Sequence, residues 1–176
     1  MSESKLKKYY GKYRATVVQN FDPELRGRII CEVPDVLGLV PSSWCEACAP
    51  LAGITPMGVY MVPCIGAGVW VEFEQGDPNK PIWSGCRFAT GNVPPLALLG
   101  PPVSPNIVLQ TALQNMIMIS DLPPSPATGG IILKSTLGAM IVVNDSGIYL
   151  SNGKTATIAM VGGQIDFNIG ALTILK

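Results

Sequence analysis

The chain has 176 residues and a mass of 18.6 kDa, which is room for one ordinary domain or two small ones. Twelve Lys and Arg balance twelve Asp and Glu, so net charge does not favour binding to nucleic acid or to an anionic membrane. His is absent, which excludes the commonest general base and neutral metal ligand. Only 14% of the residues are charged and 48% are hydrophobic, which predicts that apolar surface is buried between subunits.

Residues 1–12 form a basic N-terminal arm, whose lysines are Lys5, Lys7, Lys8 and Lys12. Such a run either contacts an acidic neighbour or is a solvated terminus. The sequence Tyr-Tyr-Gly-Lys follows Lys8 where a secretory signal peptide would have its apolar core. We therefore expect assembly in the cytoplasm, without a signal peptide and with reduced thiols.

Residues 13–90 are predicted to contain five short strands separated by turn residues. The clearest is Val69–Glu74, in which apolar and polar positions alternate as in a half-buried strand. The other predicted strands are Ala15–Val18, Arg28–Val33, Trp44–Ala49 and Ile82–Cys86. Five strands in about 75 residues favour a small closed barrel over a sandwich.

Residues 91–106 contain five prolines and no charge, which predicts a semi-rigid, extended connector. After it, Ile107–Asp121 aligns without a gap on Ile131–Asp145, with six of fifteen positions identical. Each copy is predicted to form a strand, a turn and a second strand. Further short strands are predicted at Gly147–Leu150, Thr157–Met160, Gln164–Ile169 and Leu172–Leu175.

The predicted strip of strands in residues 107–176 is too thin to be stable as a single chain. The edges of the strip would be left unpaired. The free energy that a single chain gains by burying apolar surface is also small compared with the entropic cost of ordering the segment. Winding several identical chains together would pair the edges and bury the apolar faces. The sequence therefore predicts self-association through this segment.

Two parts of the sequence resemble a known family. The first contains a Pro63–Gly66 turn, a strand ending in Phe73-Glu74, the tripeptide Gly76-Asp77-Pro78 and the strand Pro81–Gly85. This pattern resembles the OB-fold domain of contractile-injection spike proteins, such as phage baseplate assembly protein V and the type VI secretion spike proteins. The C-terminal repeat is similar to the trimeric β-helix needle of the same family.

The resemblance implies an all-β protein, with an N-terminal OB-fold barrel in residues 13–90 and an intertwined trimeric β-helix needle in residues 107–176. It implies a homotrimeric central spike that lies below the tube in the baseplate of a phage tail, a tailocin or an extracellular injection system. The spike would pierce the target envelope, with transient contact to the target membrane. No enzymatic activity, cofactor or nucleic-acid partner is implied.

The resemblance also implies further partners and two groups of site residues. Since the chain lacks a fused hub domain and a His-rich point, a separate baseplate hub protein and a PAAR-like tip protein are expected, besides tube and baseplate proteins. The residues expected to dock the tip protein are Leu172, Thr173, Ile174, Leu175 and Lys176. Those expected in the trimer core of the needle are Ile117, Ile119, Ile141, Val143, Ile148, Leu150, Ile158, Met160, Ile165, Phe167 and Ile169.

The cysteines allow a metal site as an alternative. Cys45 and Cys48 have C-x-x-C spacing, and Cys64 and Cys86 would complete four ligands for Zn²⁺. A zinc ribbon carries a second C-x-x-C pair, which this chain lacks. We therefore favour the interpretation of these cysteines as small apolar residues within strands.

A ligand-binding OB module with an oligomerising tail is the alternative function. Trp70, Phe73 and Trp83 are candidates for stacking on the bases of single-stranded nucleic acid or on a carbohydrate. Residues 31–90 contain two basic and six acidic residues, however, and this charge opposes nucleic-acid binding. We expect the aromatic residues to be buried instead.

The chain also contains candidate catalytic acids and candidate interface cations. Glu72 with Glu74, and Asp22 with Glu24, are the carboxylate pairs that an enzyme would use, although solvent-facing carboxylates are far commoner. The arginines Arg14, Arg26 and Arg28 either contact acidic faces of neighbouring subunits or lie on the ordinary surface. No catalytic function is expected.

Overall fold

The computed structural model describes residues 7–175, and the chain divides into two compact units between Gly91 and Asn92. The described residues form thirteen strands, a four-residue α-helix at Pro34–Leu37 and short 3-10 helices at Glu74–Gly76 and Pro95–Leu99. The prediction of an all-β protein is confirmed. No helix in this part of the chain is long and apolar enough to cross a membrane.

The N-terminal unit is a five-stranded sheet that closes on itself. Its strands are β1 (Tyr13–Gln19), β2 (Ile30–Glu32), β3 (Glu46–Ala47), β4 (Gly68–Phe73) and β5 (Pro81–Cys86), in the spatial order β2-β1-β4-β5-β3. Ile29 and Cys45, just ahead of β2 and β3, exchange two backbone hydrogen bonds that join the outer strands. The closure produces the small OB-type barrel predicted from the sequence.

Alternation along β4 builds the core of this barrel. Val69, Val71 and Phe73 are buried, whereas Trp70 and Glu72 between them are partly exposed, because successive side chains of a strand point to opposite faces. The core also contains Ala15, Val17, Ile29, Cys31, Val33, Cys45 and Trp83. The prolines and glycines around these short strands supply the turns between them.

The C-terminal unit contains an eight-stranded antiparallel meander, in which each strand pairs with the next in the chain. Its strands are β6 (Ile107–Gln110), β7 (Met116–Ser120), β8 (Gly130–Lys134), β9 (Ala139–Asn144), β10 (Gly147–Asn152), β11 (Thr157–Val161), β12 (Gln164–Phe167) and β13 (Leu172–Leu175). Both copies of the repeat form the predicted strand pairs, β6 with β7 and β8 with β9.

The proline-rich connector differs from the prediction. It contains one 3-10 helix, Pro95–Leu99, and the side chain of Leu96 packs against buried residues of the meander. Proline favours such a turn at Pro95 because its φ is already fixed near the helical value. Residues 92–106 therefore fold with the C-terminal unit instead of forming an extended linker along their whole length.

The predicted strand Gln164–Ile169 is two residues too long. It ends at Phe167, and Asn168 and Ile169 have φ angles of 50° and 55°, which place them in a turn before β13. Ile169 is 90% exposed and has no position on a strand face. The prediction that Ile169 continues the apolar face of this strand is wrong. The residue types keep alternating, but the backbone leaves the strand after Phe167 and forms a turn.

Candidate trimer interface

One face of the meander is apolar on every strand. Antiparallel register places two residues of each strand into two rows that run across all eight strands. The first row is Ile107, Ile119, Ile131, Val143, Ile148, Met160, Ile165 and Ile174. The second row is Leu109, Ile117, Leu133, Ile141, Leu150, Ile158, Phe167 and Leu172. We call these sixteen residues the apolar face.

Most residues of the apolar face are exposed or only partly buried in the described part of the chain. Ile119 is 47% exposed, and its neighbours Ile107 and Ile131 in the same row are exposed as well. Isolated exposed apolar residues are normal on a protein surface, but a continuous patch of this extent marks a contact surface. The apolar face therefore has the features of a contact surface, and it is exposed in the single chain.

The opposite face of the meander changes character along the sheet. From β7 to β9 it is apolar and buried, with Met116, Met118, Ile132 and Val142 forming a cluster. From β11 to β13 it carries polar residues such as Thr157, Gln164, Asp166 and Thr173. The two faces are thus distinct at the C-terminal end and similarly apolar nearer the N-terminal end.

The structure places ten of the eleven predicted core residues on the apolar face, and Ile169 is the exception described above. Sequence reasoning missed Ile107, Leu109, Ile131 and Leu133. The repeat could have identified them, because Ile107 and Leu109 occupy the same repeat positions as Ile131 and Leu133. Burial of these residues in a trimer stays a prediction.

The residues predicted to dock a tip protein lie mostly on β13. This strand pairs with β12 on one side only, so its second edge is free among the described strands. Leu172 and Ile174 belong to the apolar face, whereas the Thr173 hydroxyl on the other face donates a hydrogen bond to Asp166. Leu175 pairs with Gln164 in the backbone register, and Lys176 lies outside the described residues.

The cysteines do not converge on one site. Cys45 is fully buried and its Sγ lies 3.2 Å from the Ser42 hydroxyl, whereas Cys48, Cys64 and Cys86 are exposed. A hydrogen bond with the Cys45 side chain and burial both raise the pKa of Cys31, so the Cys31 thiol stays neutral. Within residues 7–175, no group of three or more His, Cys, Asp or Glu is arranged to hold a metal ion.

Two of the three aromatic residues considered for base stacking belong to the barrel core. Phe73 and Trp83 are buried, and the Trp83 Nε1–H donates a 3.1 Å hydrogen bond to the carbonyl oxygen of Gly27. Trp70 is partly exposed, with the guanidinium of Arg14 6.0 Å from its ring centre. Two of the three rings are therefore not accessible to a base or a sugar.

The candidate carboxylates and arginines are mostly paired within the chain. Glu74 begins a 3-10 helix after β4 ends, so Glu72 and Glu74 do not form the predicted pair on one strand, and Glu72 instead contacts Lys12 at 3.1 Å. Arg28 is buried against Asp22, with Nη2 2.7 Å from Oδ1. Its assignment to the surface or to a neighbouring subunit is therefore wrong.

Arg26 is also engaged within the chain, although it is exposed. Its guanidinium contacts Glu24 at 3.3 Å and Glu46 at 3.0 Å. Exposed ion pairs of this kind contribute little to stability, so their main effect is to orient the side chain. The acids near Arg26 are thus bound to basic groups, an arrangement typical of a structural loop.

Two family matches cover most of the chain. Residues 13–88 match the type VI secretion system/phage-baseplate injector OB domain. Residues 106–173 match the phage baseplate V C-terminal trimerisation domain. No curated protein matches the chain.

The barrel, the open apolar face and these two matches define a class, the homotrimeric structural spike proteins of injection machines. The chain belongs to the phage baseplate V family. Its role is that of a structural spike in a phage baseplate or a type VI secretion system. The resemblance found in the sequence and the predicted homotrimer are confirmed.

Proposed function

We propose that three copies of the chain turn their apolar faces toward a common axis and form the needle of a spike that pierces a target cell envelope. The observation that carries this proposal is the unbroken apolar face across all eight strands. A trimerisation domain with one apolar face and one partly polar face supports burial of the apolar one. Burial of apolar surface then provides the main driving force for assembly.

The size of the sheet supports penetration of a membrane. Eight strands spaced about 4.8 Å apart extend roughly 34 Å across the sheet. In a needle whose strands run across the axis, this length exceeds the hydrocarbon core of a bilayer, which is about 30 Å thick. The sheet alone would therefore span the apolar layer of the target membrane.

The low charge of the C-terminal unit also supports this role. Residues 91–176 contain three basic and three acidic residues, and none of them lies in the two rows of the apolar face. Every exposed charge adds a desolvation cost when it enters lipid. A shaft with few charges therefore enters a membrane at lower cost than an ordinary protein surface.

We propose a separate hub protein and a tip protein as partners, besides the tube and baseplate proteins. In the barrel unit, Leu51, Ile54, Met57, Tyr60 and Met61 are exposed within the uncharged stretch 47–71. This apolar surface supports contact with another protein, for which the hub is our candidate. The free edge of β13 supports the docking of a tip protein.

The proposed setting is a phage tail, a tailocin or an extracellular injection system assembled in the cytoplasm. The proposed role is purely structural and requires no cofactor. The pairing of Asp22 with Arg28 and of Glu72 with Lys12 supports a non-catalytic role, because these carboxylates are already bound to cations. Burial of Phe73 and Trp83 disfavours the alternative of a nucleic-acid- or carbohydrate-binding OB module.

A pair of matched variants tests the interface. Ile119 and Val161 are 47% and 44% exposed, both are β-branched, and they lie on opposite faces of the meander. Ile119→Lys places a charge at the proposed axis and should abolish the trimer in light scattering. Val161→Lys should leave the trimer intact; a trimeric Ile119→Lys protein would exclude burial of this face.

A second experiment tests piercing. Thr157→Lys and Val161→Lys add charges to the face opposite the apolar face, where they should leave the trimer unchanged. Because the added charges raise the cost of entering lipid, particles that carry both substitutions should infect or kill less efficiently than wild type. The matched control Thr157→Ser with Val161→Thr should retain full activity. Equal activity of both double variants would contradict passage of the shaft through the membrane.

A further inference from the structure

The first half of the meander could associate through either of its faces. From β7 to β9, the apolar face presents residues such as Ile119, Ile131 and Ile141. The opposite face presents the cluster of Met116, Met118, Ile132 and Val142, with Val108, Met140 and Tyr149 at its border. Because both faces are apolar there, composition alone does not decide which face meets the other copies.

The connector covers one of these two faces. Leu96, on the 3-10 helix Pro95–Leu99, packs against the cluster, whereas Leu98 in the same helix is 70% exposed. The cluster residues Met116, Met118, Ile132 and Val142 are buried in the single chain, while the apolar face stays open. Residues 92–106 therefore act as a strap across the face that carries the cluster.

A buried polar network fixes the strap to the sheet. The side-chain amide of Asn106 donates a 2.8 Å hydrogen bond to the carbonyl oxygen of Leu96, and the Ser120 hydroxyl donates a 2.7 Å bond to Asn106 Oδ1. Asn106 is 8% and Ser120 5% exposed. Buried polar groups are costly unless they are paired, so this network specifies one position for the strap.

The strap contacts the face that carries the cluster where this face is most apolar. Its helix contacts the unit at the start of the meander, where the face that carries the cluster is apolar. From β11 onward, the same face bears Thr157, Gln164, Asp166 and Thr173, which are compatible with water. The strap thus lies over the predominantly apolar part of this face, whereas the part from β11 onward mixes these polar residues with Ala159 and Val161.

We propose that residues 92–106 select the face through which the protein trimerises. By covering the cluster, the strap removes the competing apolar surface and leaves the apolar face as the only one available to other copies. This is specificity achieved by blocking an alternative contact. The inference rests on the proposed burial of the apolar face at the trimer axis.

Matched variants of the strap in the full chain test this inference. Leu96→Asp should release the strap and expose the cluster, so that native mass spectrometry finds assemblies larger than a trimer. Leu98→Asp makes the same change on the exposed side of the same helix and should give only trimers. A folded Leu96→Asp protein that forms only trimers would overturn the proposal, whatever its melting temperature.

A milder variant keeps the test decisive if Leu96→Asp does not fold. Asn106→Asp preserves size and shape but cannot donate a hydrogen bond to the Leu96 carbonyl oxygen. It should increase binding of an apolar dye and produce assemblies above the trimer, whereas Asn115→Asp in the exposed turn before β7 should do neither. Unchanged dye binding and mass in Asn106→Asp would overturn the proposal.

The outcome also separates this inference from the proposed function. If the apolar face is not the interface, Ile119→Lys stays trimeric whatever the strap variants do. If the interface is right and the strap has no selecting role, Ile119→Lys loses the trimer while Leu96→Asp and Asn106→Asp form trimers like wild type. Only loss of the trimer in Ile119→Lys together with oversized assemblies in the strap variants supports both.

Discussion

At the scale of single residues, Asp22 organises the loop between β1 and β2. Its carboxylate accepts hydrogen bonds from the backbone N–H groups of Glu24, Arg26 and Arg28 and forms two more with the Arg28 guanidinium. The Arg28 side-chain bond is the main reason why the pKa of Asp22 lies far below its usual range, and the backbone bonds act in the same direction. The guanidinium also lies 5.5 Å from the ring centre of Trp44.

This pKa shift makes the stability of the barrel depend on pH. Because the folded-state pKa of Asp22 is lower than its ordinary value of about 3.8, the carboxylate contributes stability fully above that pH. The contribution is lost as the pH falls below about 3.8 toward the folded-state pKa. We expect the melting temperature of the barrel, followed by tryptophan fluorescence, to fall in this acid range.

Substitution of Asp22 isolates its contribution. Asp22→Asn should lower the melting temperature at neutral pH and weaken the fall in acid, since a neutral amide cannot pair with Arg28 in the same way. Glu24→Gln removes only the exposed partner of Arg28 and should change the melting temperature less. An Asp22→Asn protein with the wild-type melting temperature and acid profile would refute this role of the ion pair.

At the scale of elements, tight turns hold the meander in register. The Asn144 side chain accepts hydrogen bonds from the backbone N–H groups of Ser146 and Gly147, which fixes the turn between β9 and β10. Gly130 begins β8 with a φ of 83°, and a Cβ atom there would collide with the carbonyl oxygen of Val143. Gly162, in the turn between β11 and β12, has a φ of 56° but open space around it.

These two glycines predict different costs for the same substitution. Gly162→Ala should destabilise the C-terminal unit by roughly 1–2 kcal/mol, because the alanine must adopt the unfavourable left-handed backbone conformation but meets no steric clash. Gly130→Ala should destabilise it more, since the new methyl group must also push β9 away. Urea unfolding followed by far-ultraviolet circular dichroism measures both; equal losses would show that β8 and β9 do not approach closely at this point.

At the scale of the whole molecule, the two units obtain their stability differently. The barrel has its own buried core, which includes Val69, Val71 and Trp83. The meander leaves its apolar face exposed in the single chain, so we expect its stability to depend on other copies. Association stabilises a folded state by mass action, which makes unfolding depend on protein concentration only for the associating unit.

The distribution of aromatic residues allows this difference to be measured. All three tryptophans, Trp44, Trp70 and Trp83, lie in the barrel unit, and Tyr149 is the tyrosine of the meander. The near-ultraviolet circular dichroism of Tyr149, taken as the difference between the wild type and Tyr149→Phe, should show a melting temperature that rises with protein concentration. Tryptophan fluorescence should report a transition that shifts much less, and an equal shift of both signals would contradict independent cores.

The sequence predicted the strands well where residue types alternate and turns are marked by Gly, Pro or Asn. The five barrel strands and β10 to β13 begin and end within two residues of their predicted positions, and β6 to β9 lie within one residue of the two predicted repeat copies. The errors occur where local pattern and backbone disagree: Ile169 continues the apolar alternation but lies in a turn, and Glu74 begins a 3-10 helix. The sequence predicts Arg28 either on the surface or against a neighbouring subunit, because charge alone does not reveal a partner six residues earlier.

The sequence by itself determined that the protein is built from short strands, that its C-terminal part repeats, and that it associates, because periodicity and composition are properties of the chain alone. Tertiary structure decided which residues share the apolar face, since strand register joins side chains that are up to 67 residues apart, as Ile107 and Ile174 are. Tertiary structure also determined the position of the connector. Its prolines indicate a stiff segment, but its packing against the cluster of Met116, Met118 and Ile132 depends on where the sheet lies. Register and burial arise from contacts between distant segments, and no local pattern encodes them.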